Sequence, residues 1–207
     1  MRTMVLASQK GGVGKTTIAG HLAVMAESAG AGPVALIDTD PQGSLSSWWN
    51  ERKAETPVFA SVDIVHLADH LQQLKKSGIK LAIIDTPPAV TETIRKVLAV
   101  ADLVLIPTRP SPHDLRAVGS TVALVEAVGK RMVFVINGAA QRAKITGEAA
   151  IALSQHGTVA PVTLYQRTDF AASMIDGRTA QEIDPISRSA GEIVELWKYV
   201  DTQLNKK

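Results

Sequence analysis

A glycine-rich run near the start of the chain constrains the fold more than any other feature of these 207 residues. The run joins a short apolar segment to a stretch of helical periodicity, and it reads Lys10-Gly11-Gly12-Val13-Gly14-Lys15-Thr16-Thr17. Glycines let a backbone wrap closely around a ligand, and the N–H groups at the start of a helix attract anions. The sequence therefore predicts a strand, a phosphate-binding loop and a helix, in that order.

The side chains of this run suit a nucleoside triphosphate bound with Mg²⁺. Lys15 can reach the β- and γ-phosphates, the Thr16 hydroxyl can coordinate the metal, and Thr17 is expected near the α-phosphate. The run departs from the common G-x-x-x-x-G-K-[ST] pattern, because Gln9 stands where that pattern has glycine. A second lysine, Lys10, opens the loop instead. We predict ATP and Mg²⁺ as the cofactors.

Short apolar runs alternate with longer segments of helical periodicity along the rest of the chain. This alternation is typical of βαβ units, so we expect an α/β fold with a mainly parallel sheet and helices on both faces. Several runs are apolar on both faces, as strands covered on each side should be. The predicted strands are Met4–Ala7, Val34–Ile37, Val58–Ala60, Leu81–Ile84, Leu103–Ile106, Val133–Ile136 and Val159–Leu164.

Four segments have the apolar spacing that predicts helices. They are Thr16–Ala29, a segment that aligns Ile64, Leu67, Leu71 and Leu74, then Leu115–Val128 and Glu192–Leu204. No internal repeat, low-complexity tract or long linker divides the chain, so residues 1–207 are expected to form a single domain. Hydrophobic residues make up 45% of the chain and charged residues 20%, which is ordinary for a globular protein with one good core.

Three aspartates stand where predicted strands end. Asp38 and Asp40 follow Val34–Ile37, and Asp85 follows Leu81–Ile84. In an open α/β sheet the carboxyl ends of the strands line the ligand crevice, and phosphoryl transfer to water needs a metal and an oriented water. Strand-end aspartates also serve as helix caps. Three of them at the phosphate end of one sheet favour a metal and water site.

Three motifs together resemble the ParA/MinD family of deviant Walker A ATPases. Lys10–Thr16 resembles the deviant Walker A motif, whose first lysine is the signature of that family. Asp38–Ser44, which reads Asp-Thr-Asp-Pro-Gln-Gly-Ser, resembles the Walker A′ segment of the ParA branch, and Ile83–Pro88 resembles Walker B. The motifs occur in family order at family-like spacings, and the resemblance extends over the whole chain.

The resemblance implies a P-loop NTPase that hydrolyses ATP to ADP and phosphate, slowly without a partner, and that dimerises around two nucleotides. Lys10 would then reach across to the partner's phosphates, and Asp40 would orient the attacking water. The Mg²⁺ ligands that the resemblance implies are Thr16, Asp38 and Asp85. Asn137 resembles the asparagine that contacts adenine in this family, although asparagine after a strand is also common in turns.

Several related classes fit the sequence less well. The chain has no cysteine, which excludes the cysteine-ligated clusters of related reductases and fits a reducing cytoplasm. The first predicted strand starts within a few residues of Met1, so a small form without an N-terminal DNA-binding domain is expected.

A MinD-like membrane-surface ATPase is an alternative, but Glu192, Glu195 and Asp201 dilute the basic end at Lys206 and Lys207, so no stable membrane association is expected. A ligase resembling the dethiobiotin synthetases is a weaker alternative, disfavoured by the Asp-Pro-Gln-Gly segment.

The resemblance also predicts non-specific DNA binding by the ATP-bound dimer, hence a cytoplasmic, nucleoid-associated protein. A ParB-like or other small adaptor would stimulate hydrolysis, and the cargo is a plasmid, a chromosome region or a protein assembly. The net charge of +2 is too even for a basic surface overall, so any DNA contacts must be local. The candidates are Arg142 and Lys144 in one loop, Arg167 and Arg188, with Arg178 and Lys198 as further basic residues.

Overall fold

The computed structural model describes residues 1–89 and 92–206, which contain seven strands and nine α-helices in those ranges. The strands are β1 (Arg2–Leu6), β2 (Val34–Asp38), β3 (Val58–Phe59), β4 (Leu81–Asp85), β5 (Leu103–Thr108), β6 (Met132–Ile136) and β7 (Thr158–Val159). The helices are α1 (Lys15–Ser28), α2 (Ser44–Asn50), α3 (Leu67–Lys76), α4 (Glu92–Ala99), α5 (Pro112–Ala127), α6 (Lys144–Ser154), α7 (Thr168–Ala172), α8 (Ala180–Ile183) and α9 (Arg188–Leu204). The single-domain prediction and the basic end include Lys207, which lies outside the described residues, as do Val90 and Thr91.

The strands form one sheet in the order β3-β2-β4-β1-β5-β6-β7, and every neighbouring pair is parallel. The predicted parallel α/β sheet is therefore confirmed. Strand β1, which precedes the glycine-rich run, lies between β4 and β5. Because all strands run in one direction, their carboxyl ends meet at a single edge, where an open α/β sheet binds its ligand.

Successive residues of the central strands enter two separate cores. Met4 and Leu6 pack with α1, α2 and α9 on one face of the sheet, whereas Val5 packs with α3 to α6 on the other. This period of two is the geometry of a strand, and Met4, Val5 and Leu6 are all apolar because helices cover both faces of the sheet. The expectation of helices on both faces is confirmed.

The last strand is the one that the sequence predicts least well. The prediction ran from Val159 to Leu164, but the ladder of β7 ends at Val159. Pro161 has no backbone N–H to donate to a ladder, and the chain leaves the sheet there. It returns at Leu164, whose N–H donates to the Ile136 carbonyl at 2.9 Å. The detour places residues 164–167 beside the carboxyl end of β6.

The helices without a strong periodic signal are mostly short. Helix α2 has seven residues, α7 five and α8 four, too few for apolar spacing to define a face. Helix α9 begins at Arg188, four residues before the predicted start, because the Ser187 hydroxyl caps it by accepting from the Ala190 N–H at 3.1 Å. Within the described ranges, each helix is too short or too polar to cross a membrane.

Candidate functional site

The loop between β1 and α1 follows the predicted strand–loop–helix arrangement. Gly12 and Gly14 adopt φ angles of 72° and 93°, in the left-handed region that side chains with a Cβ disfavour. At Gly14 a Cβ would also lie 2.3 Å from Nδ2 of Asn137. Glycine at this position is therefore required twice, by backbone conformation and by a neighbouring side chain.

Asn137 follows β6 and supports the loop from the side. Its Nδ2 donates to the Val13 carbonyl at 2.7 Å, while its Oδ1 has no hydrogen-bond partner among the described residues. Asn137 also lines the cavity beside the loop. Its position is compatible with the predicted base contact, and the structure adds a second role in holding the loop.

Lys15 is the most buried cation at this edge of the sheet. Its side chain lies under the loop, where Nζ donates to the carbonyls of Ser8 at 3.3 Å and Lys10 at 3.4 Å. Burial lowers the pKa of Lys15, and the nearby carboxylates of Asp85 and Asp40 oppose that shift. An anion bound by the loop N–H groups would favour the charged form of Lys15 and so oppose this effect of burial.

Thr16 and Asp85 form a short contact at the carboxyl end of β4. The Thr16 hydroxyl donates to Oδ2 of Asp85 at 2.5 Å, and only 1% of Asp85 is exposed. Burial raises the pKa of Asp85 to about 7, helped by the charge of Asp38 and opposed by Thr16, Lys15 and Thr86. Asp38 is the register partner of Asp85 across β2 and β4, so three oxygen-bearing side chains meet here.

Asp38 and Asp40 hold the turn that leads into α2. Asp38 Oδ2 accepts from the N–H groups of Leu45 and Ser46, both at 3.0 Å, which caps the helix. Asp40 Oδ1 accepts from the Gln42 N–H at 3.0 Å, and its other oxygen has no hydrogen-bond partner in the described ranges. This geometry is compatible with both interpretations of these aspartates, as helix caps and as part of a metal site.

A cavity of about 580 Å³ opens above the loop. Its lining includes Gly11, Gly12, Gly14, Lys15, Thr16, Thr17, Asp40 and Asn137 from the predicted site. Val13 is buried beneath the loop, and Asp38 and Asp85 stand behind Thr16 rather than on the cavity surface. Lys10 is exposed at the start of the loop, and its side chain has no partner among the described residues.

Part of the cavity wall comes from residues that the sequence did not indicate. Arg109, His21, Phe170 and Met174 also line it. Arg109 follows β5 directly, so the rule that ligands lie at carboxyl ends of strands could have found it. The residues of α7 and its flank carry no such signal, because a five-residue helix reaches the cavity only through tertiary packing.

No group of three or more His, Cys, Asp or Glu side chains in residues 1–89 and 92–206 could hold a metal ion by itself. The oxygen atoms of Thr16 and Asp85, with Asp38 alongside, are nevertheless hard ligands of the kind Mg²⁺ prefers. Mg²⁺ commonly binds through one or two carboxylates and completes its shell with phosphates and waters. The donor set therefore fits a metal that arrives with a nucleotide.

The predicted DNA-contacting residues divide into two kinds. Arg142, Lys144 and Arg188 are exposed and have no ion-pair partner in the described part of the chain. Lys144 is the first residue of α6, which corrects its predicted place in a loop. Arg167 instead donates to Glu192 Oε1 at 2.9 and 2.6 Å, and its side chain is 16% exposed.

Comparison with known proteins identifies the family of this chain. The CobQ/CobB/MinD/ParA nucleotide binding domain matches residues 4–190. The maintenance of carboxysome distribution protein A of Halothiobacillus neapolitanus is 29% identical, over 92% of this chain and 91% of its own length. The protein ParA of Rhizobium radiobacter is 28% identical, over 83% of this chain and 82% of its own length.

A solved structure shows the same fold. The septum site-determining protein MinD of Pyrococcus horikoshii, complexed with Mg-ADP, superposes with a TM-score of 0.81 at 16% identity. The match covers 99% of this chain and 97% of that structure. With the family match over residues 4–190, the chain belongs to the CobQ/CobB/MinD/ParA family of nucleotide-binding domains.

Proposed function

We propose that this protein binds ATP with Mg²⁺ and hydrolyses it to ADP and phosphate. The observation that carries the proposal is the convergence of Lys15, Thr16 and Asp85 on a glycine loop with positive φ angles. The loop N–H groups would hold the phosphates, and Lys15 would neutralise charge on the β- and γ-phosphates. Thr17 would contact the α-phosphate, and Asn137 Oδ1 would accept from the adenine amino group.

Mg²⁺, held by Thr16, Asp85 and Asp38, would offset the charge that develops on the transferred phosphoryl group. Asp40 would orient the attacking water, since its carboxylate lines the cavity and keeps one oxygen free of the turn. The Asp85 carboxyl must be ionised to serve as a ligand, and its raised pKa means that the metal would displace a proton near neutral pH.

The active form that we propose is a homodimer assembled on ATP. Lys10 supports this proposal, because its side chain is exposed at the start of the loop and has no partner in the described ranges. In the dimer it would reach the other subunit's phosphates and stabilise negative charge there, as an arginine finger does.

The dimer can be tested with an Asp40→Ala variant that binds but does not hydrolyse ATP. Light scattering should give twice the subunit mass with Mg–ATP and the subunit mass with Mg–ADP. Lys10→Ala should abolish the ATP hydrolysis that the small adaptor stimulates. Lys53 is another exposed lysine, and Lys53→Ala should leave this hydrolysis unchanged. A monomer under every nucleotide condition would contradict the dimer and the role of Lys10.

We propose further that the ATP dimer binds DNA without sequence preference through Arg142, Lys144 and Arg188. Their exposure and lack of ion pairs support this role, and Arg167 would join them only if it left Glu192. Such binding rests on phosphate contacts and should fall with salt, with a log–log slope of roughly 0.9 per phosphate neutralised. DNA binding with Mg–ATP but not with Mg–ADP would support the proposal that the ATP dimer binds the nucleoid.

The cellular role that we propose is positioning or segregation of a cargo on the nucleoid, with a ParB-like or other small adaptor that stimulates hydrolysis. The relatives include a carboxysome distribution protein and a protein ParA, and the candidate cargoes are a plasmid, a chromosome region or a protein assembly. Co-purification of the adaptor and localisation of the cargo in cells that lack this protein would distinguish them.

A membrane-surface role receives less support. The apolar face of α9 is buried against the sheet rather than free for lipid, through Ile193, Leu196, Trp197, Val200 and Leu204. Releasing that face would expose core side chains at a cost of about 1.5–3 kcal/mol each. Flotation with anionic vesicles should therefore fail under conditions in which DNA binds.

A further inference from the structure

The cavity wall opposite the phosphate loop is fastened to the rest of the protein from two sides. We call residues 170–182 the wall segment; Phe170, Ala171 and Met174 within it line the cavity. It consists of the end of α7, the short helix α8 and the loop between them. Its contacts with α1 and α2 are specific hydrogen bonds rather than apolar packing alone.

Helix α1 holds the wall segment through His21, which is fully buried. His21 Nε2 accepts from the Ala180 N–H at 3.0 Å and lies 3.3 Å from the Ser173 hydroxyl. Because the Ala180 N–H can only donate, the ring proton sits on Nδ1 and is donated to the Thr17 carbonyl at 2.7 Å. The ring therefore links the first turn of α1 to both ends of the wall segment.

Helix α2 holds the same segment through Trp48. The indole Nε1–H is shared between the carbonyls of Ser173 and Arg178, both at 3.2 Å. The ring packs against Gly20 of α1, where a Cβ would lie 3.1 Å from it. Trp48 thus fills the junction of the two helices and the wall.

Arg52, just beyond the end of α2, makes the second contact. Its guanidinium donates to the Gly177 carbonyl at 2.6 Å and to Glu182 at 2.7 Å, and it lies 5.3 Å from the centre of the Trp48 ring. A Cβ on Gly177 would lie 2.4 Å from the Arg52 nitrogen. The end of α2 and the wall segment are therefore in direct backbone contact.

Both fastening helices begin at the phosphate end of the cavity. Helix α1 starts at Lys15 and Thr16, and α2 starts where the Asp38 carboxylate caps Leu45 and Ser46. Two residues of helix, about 3 Å of rise, separate Ser46 from Trp48. A change in the position of Asp38 therefore reaches Trp48 within α2, and it reaches Arg52 through the turn at the end of the helix, where the Arg52 N–H donates to the Trp49 carbonyl at 3.0 Å.

We propose that Trp48 and Arg52 are positioning residues that couple the γ-phosphate to the wall segment through α2. The inference rests on the proposed binding of Mg–ATP and adds a path by which ATP and ADP give different wall conformations. ATP and ADP have the same base and ribose and differ only in their phosphates. A difference between them at residues 173–182 must therefore arrive from the phosphate end.

Hydrogen exchange of the full chain tests this coupling, with samples that contain no nucleotide, Mg–ADP or Mg–AMPPNP. Both nucleotides should protect residues 10–17. Exchange of residues 173–182 should differ between the two nucleotides on the order of tenfold, within the usual range of coupling between sites. Light scattering of each sample records its mass, so that contact between subunits is separated from coupling within one.

Arg52→Gln should remove the difference at residues 173–182 while residues 10–17 keep their protection. The matched control is Arg178→Gln on the same segment, because the Arg178 side chain hydrogen-bonds only to Asp176 among the described residues. Trp48→Phe removes the indole donor but keeps an aromatic ring, and it should act as Arg52→Gln does. It provides the same reading if the arginine variant fails to fold.

Three results would overturn the coupling while the proposed function stands. These are protection of residues 10–17 with an unchanged wall, a difference that survives both Arg52→Gln and Trp48→Phe, and a difference that follows the mass of the sample instead of these residues. Loss of the difference in the Arg178→Gln control would overturn it too. If neither nucleotide protects residues 10–17, the proposed function and the coupling both fail.

Discussion

The two ends of the cavity are built on opposite electrostatic principles. At the phosphate end, burial lowers the pKa of Lys15 and raises that of Asp85 to about 7, so both groups are displaced toward their neutral forms. At the wall, buried His21 and Trp48 have matched hydrogen-bond partners. The first region gains from a charged ligand, whereas His21 and Trp48 find their partners within the protein.

Function and stability therefore depend on different ends of the cavity. A site that must bind a metal and phosphates retains buried charges that the protein alone compensates poorly. A structural junction satisfies each donor with an acceptor, because an unpaired buried group costs about 1–3 kcal/mol. Substitutions at the two ends should therefore separate activity from stability, in the order of effect that follows.

Thr16→Val should have the largest effect. The change keeps the side-chain shape but removes the hydroxyl that contacts Asp85 and that we assign to Mg²⁺. Hydrolysis of ATP should fall by about 100-fold or more, because metal stabilisation of the transition state amounts to several kcal/mol. Thr202→Val on α9 is the control; equal turnover in the two variants would remove Thr16 from the site.

The wall should show its dependence on His21 as the solution is acidified. Burial lowers the pKa of His21 to about 4 from the ordinary 6.5, so the unfolded chain binds a proton at a pH where the folded chain does not. The stabilisation of the fold by neutral His21 is intact above pH 6.5 and is lost as the pH falls toward 4, by about 3 kcal/mol in total.

Urea unfolding between pH 7 and pH 4.5 measures this contribution as a difference between proteins. His21→Gln should unfold with a shallower pH dependence than the parent chain, while His156→Gln, at an exposed position, should keep the parental slope. Parallel curves for all three proteins would contradict a neutral, buried His21.

The phosphate end should respond with the opposite sign. A raised pKa means that ionising Asp85 opposes folding, and this cost grows from pH 3.8 to about pH 7. Asp85→Asn removes the cost, so it should stabilise the nucleotide-free protein by about 2 kcal/mol at pH 8 while abolishing Mg²⁺-dependent hydrolysis. Thermal unfolding should show the gain at pH 8 and little of it near pH 4. Glu55→Gln, at an exposed position, is the control, and an Asp85→Asn protein less stable than the parent at pH 8 would be the contrary result.

The smallest stability effects are expected at the exposed basic residues. Arg188→Ala should change the free energy of unfolding by no more than about 0.5 kcal/mol, yet lower the salt slope of DNA binding by roughly 0.9. Arg167→Ala should destabilise the protein by about 1–2 kcal/mol, because partly buried Glu192 loses its charged partner. The proposed roles would be exchanged if Arg167→Ala lowered the salt slope of DNA binding and Arg188→Ala destabilised the protein.

The sequence predicted the phosphate end far better than the wall. Glycines, lysine and threonine in a fixed order define a local structure, so the loop and its flanking β1 and α1 follow from a few residues. Asp85 followed from the rule for strand ends. The environment that raises the pKa of Asp85 could not be predicted, because the distance to Thr16 and the depth of burial depend on how β4 packs beside β1.

The wall could not be predicted, since nothing local marks it. His21 looks like any polar residue in a helix, and its partner Ala180 lies 159 positions away along the chain. Helices α7 and α8 are too short to show a period. The same limit explains Arg167, whose engagement with Glu192 depends on where α9 returns to the sheet.

Calorimetric titration of Mg–ATP into the Asp40→Ala protein, with the Asp40→Ala/Lys15→Gln double variant beside it, measures whether the phosphate loop binds the nucleotide. We predict one nucleotide bound per chain in the first protein and no measurable binding in the second, because Lys15 is the buried cation under the phosphate loop. Equal affinity of both proteins for Mg–ATP, or no binding by either, would contradict the nucleotide site described above.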